Sequence, residues 1–279
     1  LLKPLCFFKP KLKLNLKGDF MTIDLHNHTP LCKHATGSID EYIQEAIKKG
    51  IWIFGFSDHA PMNFDQDYRM SFDQMSEYEE SIKQAREKYQ GQIDIRLGYE
   101  VDWIEGLVDK RVINAEVDYL IGSVHFLNGW GFDNPEFIGK YEEVDIEAIW
   151  VEYFNHIKAM AKSELFDIVG HLDLIKLFKF VPDKDIREIA NDALNAIAMA
   201  GMSIEINAAG LRKPIKELYP SLDLLELAYE KNIPITFGSD AHSPEEVGAE
   251  IHQMKLLAKE VGYDYAVSYK NRVMYFHKF

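Results

Sequence analysis

The chain has 279 residues, 47% of them hydrophobic and 27% charged, with ample apolar material for a full core. Lys and Arg number 31 against 45 Asp and Glu, a formal net charge of −14, which argues against a general binder of nucleic acid or anionic membrane. Two cysteines, Cys6 and Cys32, exclude a disulfide framework and make a reducing cytoplasm the expected compartment, and no apolar run approaches the ~20 residues of a membrane-spanning helix.

Residues 1–20 show neither helical nor strand period. They carry five Lys and one Asp, or +4, which leaves −18 on residues 21–279. Met21 immediately precedes the first strand pattern, and one possible coding of Lys17–Phe20 contains a bacterial ribosome-binding sequence. The expectation is that residues 1–20 are a non-native or disordered extension and that 21–279 is one domain.

From Thr22 onward, short apolar runs alternate with helical stretches. Strands are expected near 22–26, 51–57, 92–99, 117–122, 166–169, 202–206 and 233–238. Helices are expected near 39–49, 73–89, 143–164, 184–200, 221–231 and 244–260. The first has Ser38 as N-cap, Glu41 completing a capping box and Gly50 as its stop. Loop 126–142 is long, and its aromatics suggest packing or function. Alternating strands and helices point to an α/β protein with a parallel sheet. A single closed or nearly closed barrel is the simplest reading, and a doubly wound open sheet is the alternative.

Seven of the ten histidines follow predicted strands. His26-Asn27-His28 ends the first strand, and in extended chain both imidazoles face one side. His34 follows six residues later. His59 comes after the second strand, in Ser57-Asp58-His59. Glu100 and Asp102 follow the third, and His125 follows the fourth. His171 follows the fifth, in Gly170-His171. Asp240 and His242 follow the seventh. In a parallel barrel these positions meet at one face. Imidazole with carboxylate suits zinc, iron or manganese, and seven histidines with Glu100 and Asp240 exceed one metal's four to six positions. Two or three divalent metals are therefore expected, an arrangement suited to phosphoryl chemistry. His156, His252 and His277 lie elsewhere and are expected to be ordinary structural or surface residues. Cys32 is a candidate soft ligand or nucleophile, but no CxxC accompanies it. No GxSxG elbow, Walker loop or dinucleotide fingerprint is present. After the sixth strand, Arg212 in Gly210-Leu211-Arg212-Lys213-Pro214 is a candidate anion binder, since its planar fork matches phosphate oxygens.

The ordered set His26-x-His28, His34, Asp58-His59, Gly98-x-Glu100, Ser123-Val124-His125, Gly170-His171 and Ser239-Asp240-Ala241-His242 resembles the PHP (polymerase and histidinol phosphatase) superfamily. Longer stretches, among them DLHNHTPLCKHATG, YLIGSVHFLNGWGFD and IEINAAGLRKP, resemble its histidinol-phosphatase branch. The resemblance implies a distorted seven-stranded (β/α) barrel, TIM-like, with a trinuclear metal site. His26, His28, Glu100 and Asp240 would hold the first metal. Glu100 would bridge to a second, held also by His125 and His171. His34, His59 and His242 would hold the third. The reaction implied is hydrolysis of L-histidinol phosphate to L-histidinol and phosphate, in histidine biosynthesis. The alternatives are a phosphoesterase acting on another small phosphomonoester, such as a nucleotide or sugar phosphate, and a non-catalytic metal-binding module.

Glu100, Asp240 and Arg212 are the expected catalytic residues. Arg212 and Arg69 are candidates for phosphate, and Asp102, Glu105 and Asp133 for the substrate's ammonium and imidazole. Trp130 and Phe132 are candidates either to stack on that imidazole or to pack beneath the long loop. The expected partner is a small phosphomonoester, with no nucleic acid or membrane, in a monomer or homodimer.

Overall fold

The computed structural model describes residues 22–279; Cys6 and the expectations for residues 1–20 lie outside them. In chain order the elements are β1 (Ile23–Asp24), α1 (Ile39–Lys48), β2 (Ile53–His59), α2 (Met75–Lys88), β3 (Asp94–Asp102), α3 (Lys110–Ile113) and β4 (Tyr119–Ser123). There follow β5 (Phe126–Leu127), β6 (Trp130–Gly131), α4 (Ile146–Lys162), β7 (Ile168–Val169), α5 (Ile186–Ala200) and β8 (Ser203–Asn207). The chain finishes with α6 (Ala209–Arg212), α7 (Leu222–Glu230), β9 (Ile235–Gly238), α8 (Ile251–Val261), β10 (Tyr265–Lys270) and β11 (Val273–Lys278). Among the described residues no helix is long and apolar enough to cross a membrane.

The seven expected strands are β1, β2, β3, β4, β7, β8 and β9. They lie side by side in that order, all parallel. Backbone bonds from Leu25 N to Phe237 O (2.9 Å), Asp240 N to His26 O (2.8 Å) and His28 N to Ala241 O (2.9 Å) join the first strand to the last. The sheet therefore closes into a barrel, and its strands are almost wholly buried, as expected of a parallel sheet whose outside is covered by helices. Helix α1 starts as its sequence dictates: Ser38 Oγ accepts from Glu41 N while Glu41 accepts from Ser38 N at 2.7 Å.

Two expectations needed correction. The helix predicted over 244–260 begins only at Ile251. Gly248 N donates to the buried Asp24 (3.0 Å), and Gly248 and Glu250 take left-handed backbone angles (φ 61° and 52°), which no helix accommodates. The strand count also stopped short. Strand β10 pairs with β9 at Ala266 and turns back antiparallel into β11. The two-residue turn Asn271-Arg272, with φ 51° and 62°, has the positive angles of tight hairpins. That turn is anchored under the barrel, where Asn271 N and Arg272 N donate to Asp118 and Arg272 pairs with Asp167.

The barrel interior is filled in layers. Tyr119 reaches across it to donate to Leu25 O at 2.6 Å, and a Cβ at Gly98 would stand 2.6 Å from its ring. Above it lies a polar layer. Asp24 accepts from Ser239 N (2.9 Å) and Ser239 Oγ (2.6 Å), and Ser239 Oγ also meets Asn27 (3.0 Å), which locks the end of β1 against the end of β9. A Cβ at Gly238 would lie 2.6 Å from Glu205 Oε2 and 2.7 Å from the His26 Cβ. Gly238→Ala is expected to cost about 1–3 kcal/mol of stability through overpacking and to displace His26. Thermal melting and metal content of the purified variant check this, and a wild-type melting curve with full metal binding contradicts it.

Candidate active site

Each expected ligand side chain stands at the carboxyl-terminal mouth of the barrel. Strand β3 runs on to Asp102, so Glu100 and Asp102 sit on the strand itself and are held by its ladder. Glu100 is central. Its Oε2 faces His26 Nε2 (3.4 Å), His28 Nε2 (3.7 Å) and His59 Nδ1 (3.0 Å). Its Oε1 faces His171 Nε2 (2.9 Å) and His125 Nε2 (3.7 Å). Asp240 completes the first group, with Oδ1 3.3 Å from His28 Nε2 and 3.8 Å from His26 Nε2. The His125 and His171 Nε2 atoms are 3.2 Å apart.

The third expected group is looser. The His34 ring lies 4.7 Å from that of His242 and 5.3 Å from that of His59, while His59 and His242 are 6.2 Å apart. His28 lies beside them, 4.0 Å from the His242 ring. Ligand atoms come within 4.8 Å of one another in the groups His26–His28–Glu100, Glu100–His125–His171, His28–His59–His242 and Cys32–His34–His242. These residues fit metal ions on a further count. His26 Nε2, His28 Nε2 and His59 Nδ1 are buried without a hydrogen-bond partner, and such atoms are costly unless something else satisfies them.

In five of the seven histidines the opposite ring nitrogen is held by a protein group, the usual device for orienting ligating imidazoles, whereas His171 Nδ1 is buried without a partner. His26 Nδ1 meets Glu205 Oε2 at 2.9 Å, His28 Nδ1 meets Asp58 at 3.4 Å and His34 Nδ1 meets Cys32 O at 2.9 Å. His242 Nδ1 meets Asp240 O at 3.1 Å, and His125 Nδ1 meets Asp102. Asp58 is itself pinned by Thr29 and by His59 N (2.8 Å). Glu205 and Asp58 lay in the quoted strand-end motifs, but nothing in the linear chain paired them with particular imidazoles. An acid set between two isoleucines in β8 was the available signal for Glu205.

Burial opposes ionisation of Glu100 and Asp240, but the imidazoles of His26 and His59 at Glu100, and of His26 and His28 at Asp240, hold both carboxyls well below their usual range. Burial disfavours charge on His28 too, but Asp240 and Asp58 bring it up to about 9. His125 is brought up to about 10 against burial by Asp102. Burial pushes His59 and His242 well down. Metal ligation needs the neutral imidazole. Zinc added to the stripped protein at pH 7 is therefore expected to release protons from His28 and His125, and zinc affinity is expected to rise as pH climbs from 7 to 9. A proton-release titration in weak buffer checks both. Zinc binding with no proton release contradicts them.

The mouth opens into a cavity of about 600 Å³ lined by His34, His59, His125, His171, Asp240 and His242. Arg212 also lines it. Its Nη2 donates to Ser239 O and Asp240 O (both 2.9 Å), its Nε pairs with Glu246 (3.1 Å), and its Nη1 is buried with no partner. Arg69 lines the cavity as well, but four of its five N–H donors are used on Asp65, Ala60 and Asp102. Asp102 is 2% exposed, and its two oxygens serve Arg69 and His125 rather than open space. Asp133 lines the cavity, and burial raises its carboxyl. Glu105 is exposed in the loop after β3 and is not among the lining residues.

Trp130 and Phe132 do not line this cavity. Phe132 is fully buried and packs with Trp130 and Tyr153, while Trp130 packs on Tyr141. Packing beneath the long loop is thus their role. His156 and His252 stand on outer helices, and His277 is buried against Ser268 in the hairpin. Cys32 is buried, and its thiol is pushed up to about 12 by burial and by Asp58, which removes it as a thiolate nucleophile.

Known proteins are similar to this chain over most of its length. A probable histidinol-phosphatase of Deinococcus radiodurans is 41% identical over 256 residues, covering 90% of this chain and 97% of its own. The histidinol-phosphatase of Bacillus subtilis is 33% identical, covering 81% and 95%. The crystal structure of histidinol phosphate phosphatase from Lactococcus lactis, complexed with zinc, L-histidinol and phosphate, superposes with a TM-score of 0.76 at 23% identity, covering 92% of this chain and 99% of that one. Residues 24–209 match the PHP domain family and residues 225–250 the PHP-associated family. With a parallel barrel whose mouth gathers this set of histidines and acids, the chain belongs to the PHP domain family, in its histidinol-phosphatase branch.

Proposed function

We propose that this protein is a metal-dependent phosphoric monoester hydrolase that converts L-histidinol phosphate to L-histidinol and phosphate. The observation that carries the reading is the pair of ligand groups sharing Glu100, with the unpartnered Arg212 Nη1 beside them in one cavity. Similarity to histidinol-phosphatases over 90% and 81% of the chain supports the substrate, as does the L-histidinol and phosphate bound by the Lactococcus lactis protein.

His26, His28, Glu100 and Asp240 would hold one metal, Glu100, His125 and His171 a second, and His34, His59 and His242 a third. Divalent zinc, iron or manganese supplies Lewis acidity there and lowers the pKa of water. The chain's own residues do the rest. Arg212 is held rigid by two carbonyls and Glu246, so its free Nη1 meets a phosphoryl oxygen with little ordering cost. Arg69 holds Asp102, and Asp102 holds His125 in the tautomer whose Nε2 faces Glu100 and His171. Asp133 stands at the same mouth, suitably placed for the cationic leaving group.

Asp133→Asn is therefore expected to raise KM for histidinol phosphate about 10-fold, the scale of one charge-assisted hydrogen bond, with little change for a phosphate monoester whose alkyl group carries no charge. Equal effects on both substrates would remove Asp133 from recognition. The function itself is tested by phosphate release from L-histidinol phosphate alongside nucleotide and sugar phosphates, with metal-loaded and chelator-stripped protein. Selective, metal-dependent turnover of histidinol phosphate is expected. Release only from other esters would assign a different phosphomonoester.

A further inference from the structure

Glu205 has no place among the ligand groups, yet it lies directly beneath them. It stands on β8 in the barrel interior, 1% exposed. Its Oε2 is 2.9 Å from His26 Nδ1. Its Oε1 accepts from the backbone N of His171 (2.7 Å) and from Asn207 Nδ2 (2.8 Å), and lies 3.0 Å from His26 Nδ1. Asn207 Nδ2 in turn reaches Asp240 Oδ2 at 3.2 Å. One carboxylate thus touches a ligand of the first metal group and the backbone of a ligand of the second. Through Asn207 it also reaches Asp240.

Gly238 leaves the room for this contact, since a side chain there would collide with Glu205. The chemistry of the neighbours is one-sided. The amide of His171 and the Nδ2 of Asn207 can only donate. With its Nε2 given to a metal, the neutral His26 ring carries its one proton on Nδ1, which donates to Glu205. A carboxylate is the side chain that accepts from all of them at once.

We infer that Glu205 is the positioning residue that holds the first and second metal groups in register, by fixing the His26 tautomer and the His171 backbone together. It touches no reacting atom. A glutamine at this position keeps an oxygen for the His171 amide and Asn207 but turns an NH₂ toward His26 Nδ1. Two donors then face each other, and His26 is relieved by moving its proton to Nε2, where it cannot ligate. Group three (His34, His59, His242) has no contact with Glu205 among the described hydrogen bonds and is left alone.

The inference rests on the metal-centre reading above, and the test separates the two. Zinc titration of full-length wild type, Glu205→Gln and Glu205→Asp is combined with nitrogen-15 spectra of labelled histidines. Glu205→Gln is expected to bind zinc about 10–100-fold more weakly at the first and second groups, the usual cost of losing an orienting partner. The third group should bind as in wild type, and His26 should shift to the Nε2–H form. Glu205→Asp, which keeps an acceptor-only side chain, should recover part of the affinity and the Nδ1–H form. Wild-type affinities with an unchanged His26 tautomer in Glu205→Gln would overturn the inference while leaving the metal centre intact. If Glu205→Gln does not fold, the zinc-loaded wild type decides, since a His26 without a proton on Nδ1 overturns the inference equally. Wild type that binds no zinc through His26 would defeat both readings.

Discussion

Glu100→Gln is expected to lower kcat for histidinol phosphate by more than about 10²–10³-fold, the scale lost when one preorganised electrostatic group is removed from a buried site. The reason is its double duty. Oε2 faces His26, His28 and His59, and Oε1 faces His125 and His171. A glutamine offers one oxygen, so one group loses its shared ligand and gains an NH₂ pointed at imidazole nitrogens. The fold should survive, because the strand ladder of β3 runs through backbone atoms. Metal content is expected to fall together with activity, while circular dichroism is retained. Near-normal turnover with full metal content would refute the shared-ligand assignment.

Arg212→Ala is the second large effect. One N–H donor aimed at a charged oxygen is worth roughly 1.5–3 kcal/mol, which corresponds to about 10–100-fold in kcat/KM. The loss should exceed that range slightly, since Arg212 also ties the carbonyls of Ser239 and Asp240 and thereby the backbone that presents Asp240 and His242. Arg212→Lys is expected to restore little. An ammonium is a single point and cannot bridge two carbonyls, pair with Glu246 and still present a donor to phosphate. Steady-state kinetics on both variants check this, and an unchanged kcat/KM in Arg212→Ala would remove the residue from the site.

These two residues differ in how readily the chain announced them. Glu100 follows a β-rich run, as His59 and His125 do. In a parallel barrel such positions converge whatever the details of packing, because each strand ends at the same face. Arg212 was visible as a cation at the mouth, but its rigid hold on Ser239 and Asp240 was not. Asp102 shows the limit more sharply. As a loose acid after a strand it reads as a substrate contact, and the closed barrel instead spends its two oxygens on Arg69 and His125. Trp130 and Phe132 read as equally suited to stacking or packing until Tyr141 and Tyr153 came against them.

By itself, then, the sequence determined the alternation of strands and helices, the end of the barrel where these side chains gather, and residue types suited to ligating metal. Periods of two and 3.6 residues and the turn that follows each strand are local properties, written within a few consecutive positions. Only the tertiary structure decided which acid supports which imidazole. His26 and Glu205 are 179 residues apart in the chain and 2.9 Å apart in space, and such a pair exists only once β1 has closed against β9 and brought β8 alongside. The β10–β11 hairpin also took its place from afar, because Asp118 and Asp167 beneath the barrel anchor its turn. Local periodicity states which way a side chain faces, and closure of the barrel states what it meets there.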